Sequence, residues 1–271
     1  MHNIPVRKMA FDIPTAEDLD PKWLADDIRQ SYLTTGVSLY VAYLEPFLVK
    51  SVRRVLDQIT DDDMRENVDR FARQEAQHYT QHEKFNKAIL GKDYPGLQER
   101  FDLLKSDFER FFKEKGDKWC VGFVEGFEAL TTQLAIRSLY ELGKQHPKTD
   151  PRFSALMEWH MAEEIEHRTV AYDIYDHLYG DYVFRAKMCW IAQRHILTFI
   201  IDCMKIMSPT DVARYDQSYH IPAGTYPGLW LAMSPAILKT MTPWYTPHNY
   251  KVPDTILTLS AKLSREAASV S

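Results

Sequence analysis

Apolar residues recur at steps of three and four along most of the chain, which predicts an all-α protein. The pattern runs from about residue 24 to 207, and few segments alternate apolar and polar positions as a half-buried strand would. Capping and turn residues divide this part into six predicted helices, near residues 24–57, 61–90, 97–114, 117–143, 151–178 and 181–207. We therefore expect a helical bundle with additional helices around it.

The two ends of the chain have a different character. Residues 1–23 contain three prolines that interrupt any regular pattern, which predicts an irregular arm. Residues 208–253 are rich in proline, tryptophan and tyrosine and predict short helices and turns, followed by a final helix near 254–267. We therefore expect three regions: the arm, a bundle over 24–207 and an irregular extension over 208–271 packed on the bundle.

The second predicted helix has polar side chains on the face that should be buried. In order along the chain, this stripe is Phe71, Glu75, His78, His82, Phe85 and Ile89. Apolar residues flank the stripe at both ends, so the glutamate and the two histidines between them should point into the core.

The same interruption of an apolar stripe occurs on three other predicted helices. The interrupting residues are Glu45 on the first helix, Glu125 and Glu128 on the fourth, and His160, Glu164 and His167 on the fifth. Each half of the bundle thus offers a lone glutamate and one Glu-x-x-His pair, on four different helices.

Several carboxylates in one core need a compensating positive charge. Burying an unpaired ionised carboxylate costs several kcal/mol even after the protein relaxes. A single inward histidine is usually structural, and Glu45 could simply mark a kink at Pro46. The combination on four helices nevertheless favours a metal centre, and carboxylate and imidazole donors without thiolate suit iron or manganese.

Composition limits the class of protein, its partners and its cellular location. The chain has 271 residues, of which 45% are hydrophobic and 26% charged, as in an ordinary globular protein. Its net charge of −5 gives no argument for binding nucleic acid. Its three cysteines fit neither a disulfide framework nor a CxxC zinc site, and no secretory signal or charge-free membrane span is evident. We therefore expect a cytoplasmic protein.

Two segments resemble a known family. The sequences RQEAQHYTQHEKFN (73–86) and WHMAEEIEHRTVAYDIYDHLYGDY (159–182) are similar to the signature blocks of a bacterial family of predicted metal-dependent hydrolases. The arrangement of glutamates and Glu-x-x-His pairs also resembles the ferritin-like di-iron carboxylate bundles. The resemblance covers about residues 35–185 and implies a ferritin-like four-helix bundle that holds two metal ions.

The resemblance implies specific roles for the inward residues. The metal ligands would be Glu45, Glu75, His78, Glu125, Glu164 and His167, with Glu75 and Glu164 bridging the two ions and Glu45 and Glu125 terminal. Residues placed to support the ligands are His82, His160, Glu163 and Asp173. The two supporting histidines could equally bind metal themselves, and Asp173 could equally be a solvated surface residue.

Two positions depart from the family pattern. The family usually has glycine before the first glutamate, where this chain has Leu44. It also tends to have histidine after the third glutamate, where this chain has Gly126 and, two residues later, the additional carboxylate of Glu128. Glu125 and Glu128 are therefore rival ligands, and the alignment with the family favours Glu125.

Three functions are compatible with such a site. The first is an Fe/Fe or Fe/Mn enzyme that activates O₂ to oxidise or hydroxylate a small, largely apolar substrate, with an electron-donor protein or a second copy of the chain as further partners. The second is a binuclear hydrolase that uses a metal-bound hydroxide. The third is iron storage, which the additional C-terminal segment disfavours. Aromatic residues that could line a substrate pocket are Tyr40, Tyr43, Phe47, Phe71 and Phe127.

Overall fold

The computed structural model describes residues 4–142 and 146–270, and this part of the chain is built from helices without any strand. The predicted all-α class is confirmed. The helices are α1 (Ile28–Arg54), α2 (Asp62–Leu90), α3 (Leu97–Glu114), α4 (Asp117–Leu142), α5 (Pro151–Glu166), α6 (Val170–Leu178), α7 (Tyr182–Arg214), α8 (Thr225–Thr240) and α9 (Asp254–Val270).

Aspartate side chains determine where several helices begin. Asp27, Asp61, Asp150 and Asp181 each accept a hydrogen bond from a backbone N–H in the first turn of the following helix. These bonds satisfy donors that have no partner inside the helix. The first helix begins at Ile28, later than the sequence predicted, because the preceding turn contains two residues with positive φ, at 55° and 58°.

The bundle is formed by the long helices. α1 packs along α2, α4 packs against α5 and α7, and α1 also contacts α4 and α7. Large side chains that are fully buried between these helices include Tyr32, Phe71, Phe123, Trp159 and Phe199. The polar residues singled out in the sequence lie within this same interior.

One predicted helix is in fact two. The sequence predicted a continuous helix over 151–178, but α5 ends at Glu166 and α6 begins at Val170. The buried guanidinium of Arg168 donates to the carbonyl of Ile165, which provides a partner for a carbonyl at the helix end. The break places His167 at the C-terminal cap of α5.

The last long helix extends beyond its predicted end. α7 continues through Pro209 to Arg214, whereas the sequence predicted an end at residue 207. Its final turns are anchored by Asp211, whose carboxylate accepts hydrogen bonds from the hydroxyls of Tyr32 (2.6 Å) and Tyr94 (2.8 Å). These buried contacts compensate for the backbone hydrogen bond that proline cannot make.

The terminal regions pack onto the bundle helices. Ile4 and Leu19 of the N-terminal arm are buried, α8 contacts α4 and α7, and α9 contacts α5. Residues 1–3, 143–145 and 271 lie outside the described residues, and the division into three regions remains a prediction. None of the described helices is long and apolar enough to cross a membrane.

Gly126 allows α4 to lie directly against α7. A Cβ atom at this position would lie 2.7 Å from the carbonyl oxygen of Met188 and 2.8 Å from backbone atoms of Cys189. These atoms belong to the backbone of a neighbouring helix and cannot rotate away. The glycine that departs from the family pattern is therefore required by helix packing.

We predict that Gly126→Ala lowers the free energy of unfolding by about 1–3 kcal/mol, because α4 and α7 must separate to make room. The matched control is Gly228→Ala in α8, where an added Cβ meets nothing within 4 Å. There, the better helix propensity of alanine should raise stability by about 0.5–1 kcal/mol. Chemical denaturation measures both values, and equal stability of the two variants would contradict the close approach of the helices.

Candidate metal centre

Seven acidic and imidazole side chains meet in the core of the bundle. They are Glu45 from α1, Glu75 and His78 from α2, Glu128 from α4, His160 and Glu164 from α5, and His167 from the α5 cap. Each of these residues is at most 2% exposed. Six of them lie on their helices with buried apolar neighbours, and His167 lies at the residue that directly follows α5.

The seven residues include two groups that could each hold a metal ion. The donor atoms of Glu45, His78 and His160 lie within 4.8 Å of one another, and so do those of Glu75, Glu164 and His167. No thiolate is part of either group. Both groups lie in the same interior. Together they contain the glutamates and histidines that a binuclear carboxylate site uses.

Two glutamates connect the groups. Glu164 places Oε1 2.8 Å from Nε2 of His160 and Oε2 3.4 Å from Nε2 of His167. Glu75 places Oε1 3.1 Å from Nε2 of His167 and Oε2 3.6 Å from Nδ1 of His78. Each carboxylate thus presents one oxygen to each group, as a bridging ligand would.

Several oxygen and nitrogen atoms that could bind metal have no hydrogen-bond partner among the described residues. They are both carboxylate oxygens of Glu45, both of Glu128, Oε1 of Glu75 and Nδ1 of His78. An unsatisfied buried polar atom costs about 1–3 kcal/mol, and more when it is charged. Metal cations would provide the missing interactions, so the residues present fit a metal centre.

The histidines are oriented by hydrogen bonds to their other ring nitrogens. Nε2 of His78 donates to Oε2 of Glu163 at 3.0 Å, which leaves Nδ1 facing the carboxylates. Nδ1 of His167 donates to Oε1 of Gln74 at 2.9 Å, because the amide nitrogen of Gln74 is already donating to the carbonyl of Pro5. Such bonds fix the ring tautomer and aim the free nitrogen at a metal.

His160 is oriented by a longer chain of hydrogen bonds. The amide nitrogen of Asn86 donates to the carbonyl of Ser38, so its oxygen accepts from the Ser38 hydroxyl at 2.9 Å. Nδ1 of His82 must then donate to Ser38 (2.7 Å), and its Nε2 accepts from Nδ1 of His160 (2.6 Å). Nε2 of His160 is then the nitrogen that can bind metal, and it faces the carboxylates of Glu164 at 2.8 Å and Glu45 at 3.5 Å. The sequence could not separate the roles of the two histidines, whereas this geometry does.

Glu163 is held by partners from distant parts of the chain. Its carboxylate accepts hydrogen bonds from Arg7 (2.8 Å) and from the indole nitrogen of Trp159 (2.9 Å), as well as from His78. Arg7 lies in the N-terminal arm and also pairs with Glu166 and Ser260. The sequence predicted that Glu163 orients a histidine but gave no sign of Arg7, because nothing local in an irregular arm indicates a contact with residue 163.

The two rival glutamates of α4 have different surroundings. Glu128 lies in the interior with Oε2 3.6 Å from Nε2 of His167. Glu125 instead accepts a hydrogen bond from the buried guanidinium of Arg185 at 3.0 Å and contacts the thiol of Cys189. The resemblance implied that Glu125 is a metal ligand. In the structure Arg185 already compensates the charge of the Glu125 carboxylate, which favours Glu128 as the ligand.

Asp173 and the aromatic residues proposed as pocket lining have separate surroundings. Asp173 is partly exposed and pairs with His248 at 2.7 Å, so it is not part of the cluster. Among the aromatic candidates, Phe71 packs its ring 4.7 Å from the His167 ring. Tyr43 and Phe47 line a cavity of about 570 Å³ between α1, α2 and α3, which Asn86 also lines.

Crowding of carboxylates without metal shifts their protonation. Burial, reinforced by repulsion from neighbouring carboxylates, raises the pKa of Glu45 well above its ordinary value and that of Glu128 to about 8. Burial acts against ionisation of Glu164 as well, but His167 and His160 hold its pKa well below the ordinary value. Burial disfavours the charged forms of His78 and His167, yet the surrounding carboxylates raise both pKa values. Burial, reinforced by repulsion from the neighbouring imidazole of His78, lowers the pKa values of His82 and His160.

Comparison with known proteins assigns the family. The family described as predicted metal-dependent hydrolase matches residues 5–251. The chain belongs to this family. No curated protein and no solved structure matches it. The narrower resemblance seen in the sequence is therefore confirmed, while the wider likeness to ferritin-like bundles stays a prediction.

The family assignment corrects the first functional interpretation. The residue pattern favoured an enzyme that activates O₂, and this interpretation is wrong because the family is described as predicted metal-dependent hydrolase. The second interpretation, a binuclear hydrolase, is the one that agrees with the family. A carboxylate-rich helical site does not by itself specify oxygen chemistry, because the same donors can hold metals that activate water.

We predict that Glu128→Gln lowers the metal content per chain, because the neutral amide lacks the negative charge that would bind a cation. Glu125→Gln is the matched control, one turn earlier on α4. It should keep the metal content but lower the free energy of unfolding by about 3 kcal/mol, because Arg185 loses its buried counter-charge. Elemental analysis and denaturation provide the two readouts, and loss of metal only in Glu125→Gln would reverse the assignment.

We also predict that the metal-free protein loses stability as pH rises from about 6.5 to 8. Glu45, Glu128, His78 and His167 have raised pKa values, so over this range the folded chain binds more protons than the unfolded one. The free energy of unfolding must then fall with increasing pH. The two histidines with lowered pKa values act in the opposite sense near the lower end of this range, where an unfolded histidine is partly protonated, and contribute little toward its upper end, where they are neutral in both states.

Melting temperatures of chelator-treated and metal-loaded protein across this pH range test the expectation. The metal-loaded protein should lack the decline, because bound cations replace the protons that the carboxylates would otherwise retain. A metal-free protein whose stability is constant or rises over the range would show that these carboxylates are not mutually repelling in the core.

Proposed function

We propose that this protein is a binuclear metal-dependent hydrolase whose metal ions are held by the seven clustered side chains. One ion would be bound by Glu45, His78 and His160, the other by Glu128 and His167, with Glu75 and Glu164 shared between them. The observation that carries this proposal is the set of buried carboxylate oxygens without partners, facing imidazole nitrogens whose opposite sides are hydrogen-bonded. Four carboxylates would balance the charge of two divalent ions.

The donor set also bears on which metal binds. Carboxylate oxygens and imidazole nitrogens suit manganese and iron, and no cysteine approaches the cluster among the described residues. We propose that iron or manganese occupies the site. Elemental analysis of protein purified from cells supplied with both metals distinguishes the two.

Bound divalent cations would polarise a carbonyl or phosphoryl oxygen and lower the pKa of a coordinated water. The protein would supply a buried environment around the donors and imidazole rings that are fixed before substrate arrives. The chain contains no GxSxG sequence that would provide a serine nucleophile, which favours direct hydrolysis over a covalent intermediate. The substrate would thus be an ester, an amide or a phosphate ester.

A substrate needs a route into a site that is almost fully buried. The cavity between α1, α2 and α3 is lined by Tyr43, Phe47 and Asn86. Asn86 is also the last member of the hydrogen-bond chain that orients His160. We propose that this cavity receives the apolar part of the substrate.

We predict that the protein loaded with manganese or iron hydrolyses an activated ester or phosphate ester without oxygen, and that Glu164→Gln reduces kcat by at least about 100-fold. The expected loss follows from removing a carboxylate shared by both ions. Release of the chromogenic product under anaerobic conditions measures the rate. Leu103→Ala, at an exposed position on α3, serves as the control for substitution itself.

A second variant tests the route. Ala42→Trp would fill the cavity without touching the clustered residues, so KM should rise while the metal content stays constant. If fully metal-loaded protein cleaves no carboxyl ester, amide or phosphate ester, the proposed function is wrong. If Ala42→Trp leaves KM unchanged, the route is wrong but the hydrolase proposal stands.

A further inference from the structure

The C-terminal part of the chain has a charge opposite to that of the whole. Residues 182–253 contain seven lysines and arginines but only three aspartates, a net charge of +4. The complete chain has a net charge of −5, so the other residues together contribute −9. Such asymmetry indicates a surface adapted to an anionic partner.

The three aspartates in this segment already have partners within the protein. Asp202 pairs with Arg100 at 3.0 Å, Asp211 is buried against two tyrosines, and Asp216 caps the short turn that follows α7. In contrast, Lys187, Arg194, Lys205 and Lys239 form no ion pair with any residue that the structure describes. Their charges are therefore available to an external partner.

An apolar helix face lies beside these cations. The outward residues of α8 are Pro227, Gly228, Leu231, Ala232, Pro235 and Leu238, and the helix has no charged residue before Lys239. Leu231 is 74% exposed and Leu238 63%. An outward helix face without charge is unusual in water and indicates an interaction site.

α7 continues the same surface. Its outward residues include Val183, Lys187, Trp190 and Arg194, and Trp244 follows α8 with 76% exposure. The two helices run antiparallel alongside each other. Three contacts establish this alignment: Tyr182 with the carbonyl of Met241, Trp190 with Trp230, and Lys205 with the ring of Tyr226.

We propose that this surface, the α7–α8 face, binds to an anionic lipid bilayer. Exposed leucines would enter the boundary between headgroups and acyl chains, while tryptophans would occupy the interface. The unpaired cations would lie at the level of the anionic headgroups, each contributing a favourable electrostatic term. The face is defined by Val183, Lys187, Trp190, Arg194, Leu231, Leu238, Lys239 and Trp244.

Charge distinguishes a bilayer from a second copy of the chain as occupant. A symmetric dimer would bring the same patch of both copies together. Lys187, Arg194 and Lys239 would then face identical cations, with no acidic residue on the patch to balance them. An anionic bilayer supplies the missing negative charge and accepts the leucines as well.

The test uses the full-length, metal-loaded protein in a flotation assay. We expect it to bind vesicles of phosphatidylcholine with phosphatidylglycerol, to bind pure phosphatidylcholine vesicles much less, and to dissociate as salt is raised. The double variant Leu231→Glu/Leu238→Glu should lose binding. Lys187→Gln and Arg194→Gln should each weaken binding to anionic vesicles by about fivefold.

The control is Leu103→Glu, at a leucine of α3 that is 61% exposed but lies outside the face. It should bind as the unaltered chain does. The proposal is overturned if no vesicle is bound, if both lipid compositions are bound equally, or if the control loses as much binding as the double variant. It is also overturned if sedimentation shows a dimer that the double variant converts to monomer. Metal content and hydrolysis are not involved, so this proposal stands or falls separately from the proposed function.

Discussion

The mutual repulsion of carboxylates buried together in one core is the constraint on which the rest of this structure depends. Glu45, Glu75, Glu128 and Glu164 come from four helices and lie together in the interior. Every helix of the inner bundle must therefore be held in place against an electrostatic force that separates them. Histidines between the carboxylates reduce this force, and bound cations would remove it.

An outer layer of hydrogen bonds maintains this arrangement. His78 is held through Glu163, His167 through Gln74, and His160 through His82. The partners of this layer come from both ends of the chain, because Arg7 binds Glu163, Glu166 and the region of Ser260 in α9. The irregular arm thus has a physical role, since it fixes an acidic group that would otherwise be buried without a cation.

The fourth helix shows how neighbouring positions acquire different roles. Glu125 and Glu128 differ by three residues and are equally buried, yet one pairs with Arg185 and the other faces His167. The rotation of α4 about its axis decides between them. That rotation is fixed by Gly126, whose missing side chain allows the backbone of α7 to approach.

The sequence alone determined the helical class and which residues point inward, because an apolar stripe with a 3.6-residue period defines a buried face regardless of what covers it. The inward set on four helices, including Glu75, His78, Glu164 and His167, followed from that rule. The tertiary structure decided what periodicity cannot express: the rotation of α4, the break before α6, and the contact of Arg7 with a distant helix. These features depend on contacts between residues far apart in sequence, where a small change in packing exchanges one partner for another.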